Sequence, residues 1–167
     1  PGHGEVKLKK PGQSDWYGTT LPWMSIGYES SVPPIYTLML YNAIANNGVM
    51  VKPVFTERIL KDGKTYRETQ EEVINPKIAS DKTLGQMRGI LEGVVKYGTA
   101  KRMQSPLFNS AGKTGTSQIF ENGTNKNKDG KTRLQVTFCG YFPAEDPKYS
   151  CIVYARDPRQ GGTGSIC

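Results

Sequence analysis

Four consecutive residues, Lys113-Thr114-Gly115-Thr116, are the stretch of this chain whose types and spacing could act together on a ligand. On a strand, alternate side chains face opposite sides. Lys113 could therefore lend positive potential to a cleft while the backbone of a free edge pairs with an extended peptide. Gly115 fits that use, because a side chain there would block the approach.

Two phosphate chemistries use similar strings, and each lacks a residue it depends on. A P-loop requires Gly-x-x-x-x-Gly-Lys-Thr, and Leu107 stands where the first glycine belongs. A phosphorylated aspartate in Asp-Lys-Thr-Gly-Thr is ruled out by Gly112 in the aspartate's place. The three cysteines, Cys139, Cys151 and Cys167, form no Cys-x-x-Cys pair, and His3 is the only histidine. That removes most zinc sites and disfavours Ser-His-Asp or Cys-His catalysis, so no metal or organic cofactor is implied. The net charge of +7 gathers at Lys7, Lys9 and Lys10 and at Lys126, Lys128, Lys131 and Arg133. No aromatic residues interleave with these clusters as a nucleic-acid groove would need, so the expectation is a solvated surface and no nucleic-acid partner. The alternative use of that charge is attraction to an acidic polymer or membrane surface.

The elements that must position the four residues can be read from periodicity. Residues 1–22 hold Gly2, Gly4, Pro11, Gly12, Gly18 and Pro22 without a repeat, and read as an extended connection. A helix is expected over 33–47, opened by Pro33-Pro34, stopped at Asn46-Asn47-Gly48, and apolar around much of its girth, hence well buried. Asp62-Gly63 predicts a hairpin between strand-like runs at 51–60 and 66–73, a peripheral ribbon. A second helix is expected over 81–97, started by Ser80 or Asp81 and ended at Gly98. Gly85, Gly89 and Gly93 recur every four residues along it. Each costs about 1 kcal/mol relative to alanine, so a closely approaching neighbour is expected there. Strands at 112–120, 133–142 and 149–156, with a polar loop at 122–131 and a turn at 143–147, predict an antiparallel meander over 112–156. The fold class is therefore α+β, an antiparallel sheet with packed helices, in a single domain or part of one.

Around Lys113-Thr114-Gly115-Thr116 lie Trp23-Met24-Ser25-Ile26-Gly27-Tyr28, Val32-Pro33-Pro34, Tyr41-Asn42-Ala43-Ile44-Ala45-Asn46-Asn47-Gly48, Gly98-Thr99-Ala100 and Phe138-Cys139-Gly140-Tyr141-Phe142-Pro143. In this order and spacing they resemble the class B, monofunctional penicillin-binding transpeptidases of cell division or elongation, the division type favoured. The likeness covers nearly the whole chain, as the C-terminal part of the transpeptidase domain, of a fold shared with serine β-lactamases. In that family a serine of Ser-x-x-Lys attacks the penultimate D-Ala carbonyl of a peptidoglycan stem peptide. A second stem's amine then resolves the acyl-enzyme, and penicillin mimics D-Ala-D-Ala. The resemblance implies that Lys113 charges the cleft and that Thr114 joins the hydrogen-bond network between that lysine and the other motifs. Gly115 lines the substrate strand. Thr116 binds the substrate carboxylate by its hydroxyl and adds its N–H to the oxyanion hole. It implies peptidoglycan stem peptides and β-lactam antibiotics as ligands, with other division or elongation proteins as further partners. It also implies a membrane-anchored parent whose domain faces the periplasm or cell exterior.

The chain departs from the family in lacking the nucleophile. Ser110-Ala111-Gly112-Lys113 matches Ser-x-x-Lys by letter only, and no Ser-x-Asn occurs. Both missing motifs precede the Gly27-Tyr28 region in the family. The expectation is a piece that begins after them, is soluble and without a signal peptide, and is inactive alone. The end at residues 161–167 likewise reads as cut short. Cys139 and Cys151 fall on adjacent expected strands, where buried free thiols are favoured over a disulfide. A non-catalytic cell-wall peptide-binding module, using the same strand without acylation, is the competing class.

Overall fold

A computed structural model describes residues 4–158; His3, Cys167 and the glycine-rich end at 161–167 lie outside them. The first elements fall in the segment expected to be a bare connection. β1 (Lys7–Leu8) pairs antiparallel with β2 (Ser30–Ser31), and between them a short helix, α1 (Thr20–Ser25), forms. The expectation for 1–22 is corrected here because Pro22 stands in the first turn of α1, where a missing N–H is no loss. Thr20 is fully buried, and its hydroxyl accepts from the Tyr17 N–H at 3.0 Å.

α2 (Pro34–Ala45) begins with proline at N1 and ends through Asn47 and Gly48, both at positive φ. A side chain on Gly48 would meet Leu84 Cδ1 at 2.9 Å, so this stop also lets the next helix close in. Only Ala43 and Ile44 of α2 are buried, which corrects the expectation of a deeply buried helix. One face packs on the sheet, and Leu40 on another is half exposed.

The expected run 51–60 splits. β3 (Met50–Val51) pairs with β6 (Val73–Asn75), while β4 (Arg58–Lys61) and β5 (Lys64–Glu68) form a separate exposed hairpin. Pro53 removes a ladder donor just after β3. The hairpin turns through Asp62 and Gly63, both at positive φ, as a two-residue turn of this kind requires.

α3 (Asp81–Lys96) starts where the Ser80 hydroxyl accepts from the Thr83 N–H at 3.2 Å. Asp81 in its first turn and Lys96 in its last suit the helix dipole. Gly85 and Gly89 meet nothing within 4 Å, and Gly93 meets only the ring of Tyr97 from the same segment. Among the described residues the expected close neighbour on that face is absent. After a 3₁₀ turn at Lys101–Met103 come β7 (Ala111–Gln118), β8 (Leu134–Phe142) and β9 (Tyr149–Arg156), ordered β7-β8-β9 and antiparallel throughout. The expected α+β meander is present.

Two small cores tie helices to sheet. Ile44, Leu84, Leu91, Ala111, Tyr141 and Ala144 form one, and Val95, Ala100 and Phe138 the other. The second depends on facing glycines, because Gly112 lies opposite Gly140. A Cβ on Gly112 would meet the Phe138 ring at 2.5 Å, and one on Gly140 would meet the Ala111 carbonyl at 2.4 Å. Arg88 of α3 clamps the C-terminal end of α2. It donates to the carbonyls of Ile44 (2.8 and 3.0 Å) and Ala45 (3.2 Å) and to Asn47 Oδ1 (2.9 Å). The two backbone carbonyls are acceptors that a helix end leaves unpaired.

Cys139 pairs with Ile152, and Cys151 with Gly140. The one-residue offset sends the two thiols to opposite faces, so both are free. Burial pushes the Cys139 thiol up to about 12, with Cys151 adding to the shift.

Candidate functional site

Among the described residues β7 is an end strand of its sheet, hydrogen-bonded to β8 along one side. In an antiparallel strand, each residue's N–H and C=O point the same way, alternating along the chain. Ile119 N–H donates inward to the Arg133 carbonyl at 3.0 Å, whereas Gln118 N–H donates outward to Tyr28 Oη at 3.3 Å. By alternation, Thr114 and Thr116 direct their backbone groups to the open edge, and Lys113, Gly115 and Ser117 direct theirs to β8. Thr116 N–H thus stands where an extended ligand or an oxyanion could meet it.

The side chains divide by face. Lys113 and Gly115 share one side of β7, and Thr114 and Thr116 share the other. Lys113 still reaches the edge, because its exposed Nζ donates to the Thr114 carbonyl at 2.6 Å and to Thr114 Oγ1 at 3.3 Å. The four residues therefore meet along an edge rather than on one face. A Cβ on Gly115 would point toward Thr137 of β8, meeting its Oγ1 at 2.6 Å, a contact that rotation of Thr137 can relieve. Ser110 and Lys113 lie along extended chain instead of one helical turn, which separates them from a Ser-x-x-Lys arrangement.

Two further residues complete the edge. Tyr28 closes it at Gln118; its ring is held edge-on by Trp23, with centroids 5.3 Å apart, and its N–H bonds the Trp23 carbonyl at 3.0 Å. Gly27, at φ +90°, makes the turn that brings it there. The other residue is Thr99, whose hydroxyl lies 2.7 Å from that of Thr114. Gly98-Thr99-Ala100 was legible as a motif, but no sequence signal joins Thr99 to a strand fifteen residues on.

Charge around the site is ordered on its far side. Glu121, just beyond β7, pairs with Arg133 at 2.9 Å and with Arg156, and Arg133 also holds Asp157 at 3.0 Å. These pairs tie the loop after β7 to the other two strands. No group of three His, Cys, Asp or Glu side chains among the described residues could hold a metal ion. No helix among them is long and apolar enough to cross a membrane.

Residues 2–166 match the family model described as "Penicillin binding protein transpeptidase domain". Penicillin-binding protein H of Bacillus subtilis is 32% identical over 142 residues, covering 80% of this chain and 20% of that protein. Penicillin-binding protein PbpB of Mycolicibacterium smegmatis is 28% identical over 170 residues, covering 97% and 26%. The chain thus spans a fifth to a quarter of the length of these relatives. Among solved structures, the D,D-transpeptidase domain of a peptidoglycan glycosyltransferase from Eggerthella lenta superposes with a TM-score of 0.63 at 28% identity, over 83% of this chain and 30% of that one.

Proposed function

This chain belongs to the penicillin-binding protein transpeptidase family, and from that premise we propose that it forms one wall of a peptidoglycan D,D-transpeptidase cleft. The observation that carries the reading is the open edge of β7, where Lys113 Nζ and the outward backbone groups of Thr114 and Thr116 converge. A stem peptide ending in D-Ala-D-Ala lies along this edge as an added strand. Lys113 supplies positive potential, Thr116 Oγ1 binds the terminal carboxylate, and Thr116 N–H receives the oxyanion formed when a serine attacks the penultimate carbonyl. Loss of one such donor removes about 3 kcal/mol of transition-state stabilisation.

The serine and its lysine come from outside these 167 residues, since the sequence holds no Ser-x-x-Lys at a helix start. The open face of α3 at Gly85, Gly89 and Ile90 leaves room for further domain packing beside the site. We assign the whole protein to the class B group, anchored in the membrane with this domain outside it, and place cell division ahead of elongation as its setting. Its ligands are peptidoglycan stem peptides and β-lactams, and its partners the other proteins of that setting.

The test is covalent labelling by a fluorescent penicillin. The product of the complete coding sequence is labelled at a serine, and the 167-residue chain alone is not. A complete product that folds and takes no label overturns the reading in favour of a non-catalytic peptide-binding module.

A further inference from the structure

We propose that Thr99 is a positioning residue, which commits the Thr114 hydroxyl to donate its proton to a carboxylate lying along the open edge of β7. The proposal rests on the reading of that edge as a site for a peptide with a free C-terminus.

The turn carrying Thr99 is fixed on both sides. Gly98 N–H bonds the carbonyls of Gly93 and Val94, each at 3.1 Å, and Ala100 N–H bonds the Val94 carbonyl at 3.1 Å. A side chain on Gly98 would meet Val94 Cα at 2.8 Å, so the turn closes tightly on the end of α3. Ala100 is fully buried against Val95 and Phe138. Thr99, exposed between these anchors and stiff at χ1, is held with its hydroxyl 2.7 Å from Thr114 Oγ1.

A hydroxyl has one proton to give and two acceptor positions. Lys113 Nζ, which can only donate, takes one acceptor position of Thr114 Oγ1 at 3.3 Å. The bond to Thr99 can run in either direction. An anionic acceptor at the edge decides it, because a charge-assisted bond is about twice as strong as one between neutral hydroxyls. Thr99 then donates to Thr114, both acceptor positions of Thr114 are filled, and its proton turns to the ligand. Bonds chained this way also polarise one another. Thr114 and Thr116 are two residues apart on one face, about 7 Å along a strand. One carboxylate can bridge them with a bond of about 2.7 Å at each oxygen. Thr99 so sets the donor direction of one arm of a two-armed carboxylate clamp.

The experiment titrates the 167-residue chain by NMR with diacetyl-lysyl-D-Ala-D-Ala and with the same peptide as its C-terminal amide. The unchanged chain prefers the carboxylate form. Thr99→Val and Thr99→Ala each lower the affinity for that form by about fivefold, the worth of one hydrogen bond, and leave the amide form unchanged. Thr99→Ser restores the preference. Equal loss for both peptides, no loss, or failure of serine to rescue overturns the role of Thr99. No carboxylate preference in the unchanged chain overturns the reading of the edge on which the role rests. Melting temperatures of the variants establish that exposed Thr99 has been changed without loss of fold.

Discussion

Replacing Gly112 by alanine tests how the Lys113 strand is seated. The new Cβ would lie 2.5 Å from Phe138 Cζ and 2.6 Å from the Cys139 carbonyl oxygen. The ring could swing away only by leaving its contacts with Val95 and Ala100, and the carbonyl is backbone that cannot rotate out of reach. Overpacking of this kind costs roughly 1–3 kcal/mol, and a fixed backbone obstacle puts it near the top of that range, about 3 kcal/mol. The entropy saved by removing a glycine, about 0.4–1 kcal/mol, is too small to offset it. For a chain of this size the melting temperature falls by about 6–12 °C. Gly115→Ala is the internal comparison. Its Cβ meets only the rotatable tip of Thr137, so its cost stays below about 1 kcal/mol. A Thr137→Ala background removes that cost. Urea unfolding followed by circular dichroism gives both values. If Gly112→Ala is as stable as the parent, or if Gly115→Ala is the costlier change, the account of the Gly112–Gly140 seat is wrong.

Other outcomes follow from single contacts. Arg88→Ala removes the fork that caps α2 and costs about 2 kcal/mol in the same unfolding assay. Arg88→Lys recovers less than half, because one ammonium cannot satisfy the divergent carbonyls. Stability falls as pH rises above about 8.5, where an unfolded cysteine ionises. The folded Cys139 thiol, pushed up to about 12 by burial, keeps its proton. The stabilisation is complete below the unfolded pKa and is lost as pH climbs toward the folded one. Between about pH 9 and 11, Cys139→Ala therefore flattens the decline by up to about 1.4 kcal/mol per pH unit. An unchanged slope would remove Cys139 as a contributor.

Local chemistry was legible wherever a residue's own backbone needs decided the structure. Ser80 starts α3 and the helix stops ahead of Gly98, Asp62-Gly63 turns a hairpin, and the 112–156 region alternates as a meander. Lys113, Thr114, Gly115 and Thr116 stand on a strand for the same reason. What sequence could not carry is tertiary. Pro22 looked like a breaker because its place in the first turn of α1 depends on where the helix begins, and buried Thr20 helps to fix that start. The glycine row of α3 looked like a contact, yet Gly85 and Gly89 face open space. Thr99 and Tyr28 reach β7 only through the fold, one from the end of α3 and one from the turn at Gly27.

In the proposed function, a D-Ala-D-Ala peptide lies along the open edge of β7. Amide NMR of the chain titrated with diacetyl-lysyl-D-Ala-D-Ala tests it directly, because outward and inward amides alternate along the strand. The amide protons of Thr114 and Thr116 are expected to move most, and those of Gly115 and Ser117, directed to β8, least. A titration in which the inward amides lead, or in which no β7 amide responds while another surface does, would contradict it.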